Sequence, residues 1–352
     1  MQSCCIKRNA VCVKRIKWKR AAPSRDPVSI PCRFAPSPAD RMRYQEEQLL
    51  NSKMTRRTFT TRLAASAVAA ATLPETLFAA THRNIHIGHT GITWLNSQVE
   101  QAIQDVAKLG FYGFETFGEV LAAEEAKGGI GRVLEQNKIP LISGYCTLNL
   151  TDPEKRRDEM AKAVAWCKLI KKYNGRIFVL GPNQVHRDTY VYADHKANIV
   201  STLNEAAKVV QDQGLTPVLH QHTGTCVMTR DETYATLDAV DTHVLKFGPD
   251  VGQLTKGGVN AVQVVKDYLP LVQHMHLKDY NGKDDHLLGY CPLGQGQVDV
   301  PAILDLLKGR KLSGMVMTEL DNDPRNLSPT PPIELVEQSK TYLKKIGVKF
   351  RT

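Results

Sequence analysis

From residue 82 onward, short apolar runs alternate with longer segments whose apolar residues recur at helical spacing, the pattern of repeated βα units and a parallel sheet. Eight such units follow one another. The predicted strands are residues 85–89, 113–117, 141–145, 176–180, 216–220, 245–249, 272–276 and 314–319, and each leads into a helical stretch. The first helix is expected near 99–109 and the second is expected to be long, reaching Asn137. The third begins after Asp152 and Pro153, a capping residue followed by one suited to a first turn. A helix over 194–213 separates the fourth and fifth strands. Eight units in residues 81–352 fit a (β/α)8 barrel in a single domain, a fold that runs to about 250 residues. The competing architecture, a doubly wound open sheet, would carry a glycine-rich phosphate turn after its first strand. His89-Thr90-Gly91-Ile92-Thr93 is not one.

Charge changes this picture only at the N-terminus. The chain of 352 residues carries 46 Lys+Arg against 36 Asp+Glu. Residues 1–80 hold 15 of the basic and 5 of the acidic residues, so residues 81–352 hold 31 of each. The net +10 belongs to the leader, and a body with balanced charge argues against nucleic acid as a partner. Residues 1–53 mix Arg, Lys, Pro, Ser and Cys without helical or strand period, and an unstructured basic leader is expected there. An export signal opens at Met54. Thr55-Arg56-Arg57-Thr58-Phe59 resembles the twin-arginine pattern, residues 63–73 are apolar, and Leu77-Phe78-Ala79-Ala80 ends in small residues suited to cleavage. The apolar stretch is too short to span a bilayer, which needs about 20 residues, so a cleaved signal and no stable membrane anchor are expected. The expected organisation is therefore a leader over 1–53, which a signal opening at an internal Met suggests comes from a start codon assigned too far upstream, a twin-arginine signal over 54–80, and a barrel over 81–352. The export machinery becomes a partner of the precursor, and the mature protein is expected to be periplasmic or secreted. Cys4, Cys5, Cys12 and Cys32 lie in the leader, while Cys146, Cys167, Cys226 and Cys291 are scattered through the body without a CxxC pair and read as small buried hydrophobes.

In a barrel of this kind chemistry sits at the C-terminal ends of the strands, so the polar residues that close each apolar run are the ones to collect. The fifth run ends His220-Gln221-His222, the sixth at Asp250, the seventh His274-Met275-His276-Leu277-Lys278-Asp279, and the eighth Glu319-Leu320-Asp321. Imidazoles with carboxylates at strand ends are what a divalent transition metal needs: nitrogen donors, oxygen donors for charge balance, and positions left open for substrate. His220 and His222 share a strand face, as do His274 and His276, but only residues at the mouth reach a shared ion. His222 and His274 therefore read as supporting or core residues before they read as ligands.

These residues resemble the xylose-isomerase-like barrels, which include sugar isomerases and epimerases, inosose dehydratase and the endonuclease IV group. The resemblance covers residues 84–348 and is carried by Gly110-Phe111-Tyr112-Gly113-Phe114-Glu115, Asp250-Val251-Gly252-Gln253, His276-Leu277-Lys278-Asp279, Pro292-Leu293-Gly294-Gln295-Gly296-Gln297-Val298-Asp299 and Glu319 in that order. It implies His220, Asp250, His276 and Glu319 as ligands of a divalent ion, Mn, Co or Zn. Two departures matter. Most sugar epimerases of the family carry glutamate where this chain has His220, so only Glu319 remains of the two carboxylates that work on opposite faces of the substrate. His220-Gln221-His222-Thr223-Gly224-Thr225 and Glu319-Leu320-Asp321-Asn322-Asp323-Pro324 look instead like segments of inosose dehydratase. The family's usual histidine after Asp-x-Gly is Gln253 here, which suggests a hydrogen bond to substrate in place of proton transfer.

A cation that binds a ketone and its neighbouring hydroxyl acidifies the adjacent C–H, and the outcome depends on the bases at hand. With one surviving carboxylate and an extra histidine, elimination or isomerisation of a keto sugar or ketocyclitol is favoured over two-faced epimerisation. Glu319, His222 and Lys278 are the candidate proton movers; Lys278 is equally suited to remain a fixed cation. Glu115 is a candidate substrate hydrogen-bonding residue. The competing classes are a sugar-binding barrel without activity and an endonuclease IV-like nuclease, the latter opposed by the charge balance.

Overall fold

The computed structural model describes residues 83–283 and 286–352; the leader and export signal expected over 1–80 lie outside the described residues. The chain divides into the units Met1–Leu77 and Phe78–Thr352, and every described residue belongs to the second.

The strands and helices alternate in chain order: β1 (Ile87–Thr90), α1 (Val99–Lys108), β2 (Phe114–Phe117), α2 (Gly118–Glu125), α3 (Gly131–Gln136), β3 (Leu141–Leu148), α4 (Arg156–Lys172), β4 (Ile177–Pro182), α5 (Tyr192–Asp212), β5 (Thr216–Leu219), α6 (Arg230–Leu237), β6 (Lys246–Phe247), α7 (Val251–Lys256), α8 (Ala261–Asp267), β7 (Met275–Leu277), β8 (Asp279–Tyr280), β9 (Tyr290–Cys291), α9 (Val300–Leu306), β10 (Val316–Thr318) and α10 (Pro332–Lys345). Eight strands form one parallel sheet in the order β6-β5-β4-β3-β2-β1-β10-β7. Isolated parallel bridges Phe247↔Val272 and Asp250↔His276 then join β6 to β7, so the ring closes without a continuous ladder at that seam. This is the expected (β/α)8 barrel. β1 and β4 are buried along their whole length, as strands covered by helices on one side and by the barrel interior on the other must be.

The sequence misleads in two places. The expected long second helix is two short ones, because Gly128 and Gly129 between α2 and α3 adopt φ of 108° and 78°, a conformation that a right-handed helix cannot carry. The hairpin β8–β9 was not expected, and it rises from the C-terminal end of β7 at the mouth. Local chemistry explains most other boundaries. Asp152 accepts from the amide of Glu154 at 3.0 Å and starts the turn into α4, and Thr229 and Glu232 cap α6 reciprocally.

The main apolar cluster fills the layer between sheet and helices. Inside the ring lie two small clusters, Ile142 with Met315 and Met317, and Ile177 with Val179 and Val218. They plug the N-terminal half of the barrel. The polar residues gather above them.

Candidate active site

Four strand ends bring the site together. His220 directly follows β5, Asp250 caps α7 just beyond β6, His276 lies within β7, and Glu319 directly follows β10. All four are buried. Nδ1 of His220 faces the carbonyl of Gly248 at 3.1 Å, and since a carbonyl only accepts, that nitrogen carries the proton. Nε2 therefore presents its lone pair. It has no hydrogen-bond partner and lies 3.8 Å from Oδ2 of Asp250, an oxygen that is ion-paired with Nζ of Lys278 at 3.2 Å. The other oxygen of Asp250 takes the amide of Gln253 at 2.9 Å and so holds the start of α7. Burial, with the neighbouring His276 adding to it, keeps His220 neutral, its pKa well below the usual histidine value.

His276 sits between two carboxylates. Its Nε2 is 2.8 Å from Oε1 of Glu115 and its Nδ1 is 2.7 Å from Oε2 of Glu319, yet neither contact is aligned as a hydrogen bond. Burial works against its charged form, but Glu115 and Glu319 together hold its pKa well above the ordinary value. Burial raises Glu319 in turn, and the cations His276 and Lys278 outweigh it, keeping that carboxyl ionised. Donor atoms of His220, Asp250 and His276 lie within 4.8 Å of one another, as do those of Glu115, His274 and His276. Buried imidazole nitrogens facing carboxylate oxygens, with the lone pair of His220 Nε2 left unpartnered, are a donor set that suits a divalent transition ion.

Lys278 reaches the same carboxylates. Its Nζ donates to Asp321 at 2.9 Å and lies 2.5 Å from Glu319 and 3.2 Å from Asp250. Although burial favours the neutral amine, Asp250, Asp321 and Glu319 hold its pKa well above normal, so the ammonium is a fixed cation. The ring of Tyr290 lies 4.5 Å below it. Neither Tyr290 nor Tyr145, whose ring meets that of His220 edge-on at 5.2 Å, is among the residues marked by sequence. A signal for the second exists: Ser143, Tyr145 and Thr147 alternate along an otherwise apolar strand, and Tyr145 and Thr147 line the cavity.

That cavity, about 400 Å³, opens at the C-terminal mouth and is lined by Glu115, His220, His222 and Glu319 among others. His222 is neutral, mainly through burial; its Nδ1 gives its proton to the carbonyl of Thr223 at 2.8 Å and its Nε2 takes one from the amide of Gln253 at 2.8 Å. The far end of Gln253 accepts from Thr223. Glu115 accepts from Ser143 and, at 2.9 Å, from Nε2 of His274. Nδ1 of His274 accepts from the amide of Met315, which fixes this tautomer. Glu115 and Gln253, 1% and 2% exposed, also orient neighbours, Glu115 holding His274 and lying beside His276, Gln253 holding His222, while Glu115 still lines the cavity.

Two of the motifs turn out to be one structural device. Asp279 is fully buried and accepts four backbone amides, those of Tyr280, Gly294, Gly296 and Val298, at 2.9–3.0 Å. It thereby fastens the 292–299 loop to the end of β7. Cys146, Cys167, Cys226 and Cys291 are buried, as expected.

A closed parallel βα ring with histidines and carboxylates converging at its C-terminal mouth defines a class, and the chain belongs within it to the xylose isomerase-like TIM barrel family, whose model matches residues 103–346. Inosose dehydratase from Clostridium botulinum (strain Alaska E43 / Type E3) is 24% identical over 294 residues, which cover 74% of this chain and 96% of that protein. Among solved structures, the IOLI protein with a bound zinc atom superposes with a TM-score of 0.61 at 17% identity, covering 75% of this chain and 98% of the other. The 3-keto-D-glucoside 4-epimerase YcjR from E. coli gives 0.59 at 15% identity, covering 74% and 100%. The structural likenesses establish the fold. The sequence relatives place the chain among sugar isomerase and dehydratase-type proteins.

Proposed function

We propose that this chain is an exported, divalent-metal-dependent enzyme that removes the proton next to the carbonyl of a keto sugar or ketocyclitol, leading to isomerisation or loss of water. The observation that carries the reading is the unpartnered lone pair of His220 Nε2, facing Asp250 Oδ2 and set beside His276 and Glu319 at the mouth of the barrel. His220, Asp250, His276 and Glu319 would hold the ion, Mn, Co or Zn. Bound there, it supplies Lewis-acid polarisation of the substrate carbonyl.

The chain's own residues do the rest. Glu319, kept ionised by His276 and Lys278, takes the proton from carbon. Lys278 keeps its proton and steadies the negative charge of Asp250, Glu319 and Asp321. His222, neutral and lining the cavity, offers Nε2 as the second proton-accepting atom once Gln253 releases it. Glu115 is engaged by Ser143 and His274, and the exposed Glu119 is a further carboxylate on the cavity wall. A histidine at position 220 and the engagement of Glu115 support elimination or isomerisation over two-faced epimerisation. The inosose dehydratase and keto-glucoside epimerase relatives support a polyhydroxylated keto compound as substrate.

His276→Ala and Glu319→Ala test the site. Each is expected to lose the bound divalent ion by elemental analysis and to reduce kcat/KM by about a hundredfold or more, with an unchanged far-UV spectrum. Full activity in either variant would remove the site proposed here.

A further inference from the structure

A second cavity, about 520 Å³, opens beside the first and shares Ile92, Phe117 and His222 with it. Its walls are unusual for a protein surface. Among the described residues three large apolar side chains are exposed, and two of them, Leu288 at 37% and Leu327 at 46%, stand on this cavity. Apolar side chains gathered at the rim of a cleft mark a binding surface rather than chance exposure.

Both leucines are held in place. Leu288 lies in the hairpin loop in a left-handed conformation, φ 55°, which a leucine adopts only at a cost. Its carbonyl is fixed by Nζ of Lys256 at 2.9 Å. The loop that carries Leu327 is tied to the same hairpin, since the amide of Asp323 donates to the carbonyl of His286 at 2.7 Å and Nδ1 of His286 meets the carbonyl of Asn326 at 2.9 Å. Two separate loops therefore make one rim.

Several polar groups of this lobe are spent within the protein, while Asn96 and Ser97 stand exposed in its lining. The indole N–H of Trp94 donates to Asp105, the amide of Asn322 donates to the carbonyl of Thr93 and accepts from Ser328, and Asp321 is paired with Lys278. Beside Asn96 and Ser97, the lobe offers a ligand an apolar side made by Ile92, Phe117, Leu288 and Leu327. A second free sugar ring, with hydroxyls all round, would leave hydrogen bonds unmet against that side. A flat apolar group would not.

We propose that this lobe binds an aromatic aglycone, so that the substrate is a keto glycoside whose sugar ring occupies the first lobe and whose apolar substituent lies against Leu288 and Leu327. The inference rests on the keto-sugar reading above and narrows it. Phenyl 3-keto-β-D-glucoside and methyl 3-keto-β-D-glucoside are the probes, applied to the full chain and to Leu327→Asp and Leu288→Asp variants; aspartate tolerates the left-handed backbone at 288. The phenyl compound is expected to bind about tenfold or more tightly than the methyl compound, with saturation transfer strongest at the phenyl protons, and both variants are expected to erase that preference while leaving methyl glycoside binding unchanged. Equal binding of the two probes by the unaltered chain, or a preference that survives both substitutions, overturns the aglycone site. If the methyl compound is bound and converted in that case, the keto-sugar reading stands alone; if neither probe is bound, both readings fall.

Discussion

At Asp250 one carboxylate oxygen holds the start of α7 while the other faces His220 and Lys278, so a single side chain couples a helix cap to the barrel mouth. Asparagine caps a helix as well as aspartate does, which separates the two roles. Asp250→Asn is expected to remain folded while its affinity for Mn or Zn, measured by calorimetric titration, falls by about tenfold or more; undiminished affinity would exclude Asp250 as a ligand. His89 gives a pH prediction of its own. It is buried, and desolvation lowers its pKa from 6.5 to about 4 against the pull of its hydrogen bond to Thr90. The unfolded chain takes up this proton below pH 6.5 and the native chain only near 4, so stability is full above 6.5 and falls as the pH drops through that window, by roughly 3 kcal/mol from this residue. Urea titrations between pH 7 and 4 should show a shallower pH dependence in His89→Gln, and an unchanged slope would contradict the assignment. Strand-end histidines and carboxylates could be found in the sequence because polar residues interrupting apolar runs have few structural reasons to exist. What could not be read was how they divide their hydrogen bonds. That Glu115 and Gln253 serve neighbouring histidines depends on residues 159 and 31 positions away, His274 and His222, and such contacts leave no local trace.

At the scale of elements, eight alternating apolar runs were enough to define the barrel, because strands covered on both faces stay apolar throughout. The break between α2 and α3 was legible too, in Gly128-Gly129, but helical periodicity on either side masked it. The β8–β9 hairpin had no comparable signal, since each strand is only two residues long. Its stability comes from Asp279 and the loop that Asp279 pins. A Cβ placed on Gly296 would lie 2.2 Å from Oδ1 of Asp279 and 2.7 Å from the carbonyl of Tyr280. Gly296→Ala is therefore expected to destabilise the chain by about 1–3 kcal/mol in chemical denaturation, whereas Gly309→Ala, at an open position, should cost only its backbone strain. Equal losses at the two sites would show that the Asp279 clasp is not what the 292–299 loop depends on.

For the whole molecule, the separation of charge along the chain predicts separable behaviour. Residues 81–352 with 31 charges of each sign should not be retained on a DNA column at low salt, while the net charge of residues 1–80 goes with the export we propose. Replacing Arg56 and Arg57 together by lysine is expected to leave the precursor unprocessed inside the cell, and normal export of that variant would remove the twin-arginine assignment. No helix among the described residues is long and apolar enough to cross a membrane. The central claim concerns chemistry at the mouth of the barrel, and proton NMR of metal-loaded protein in D₂O with keto sugars and ketocyclitols tests it most directly. The account predicts deuterium incorporation, isomer formation or water loss at the carbon next to the carbonyl, abolished by chelation and by Glu319→Ala. Absence of exchange with every such substrate under metal loading, or exchange that persists after chelation, would contradict it.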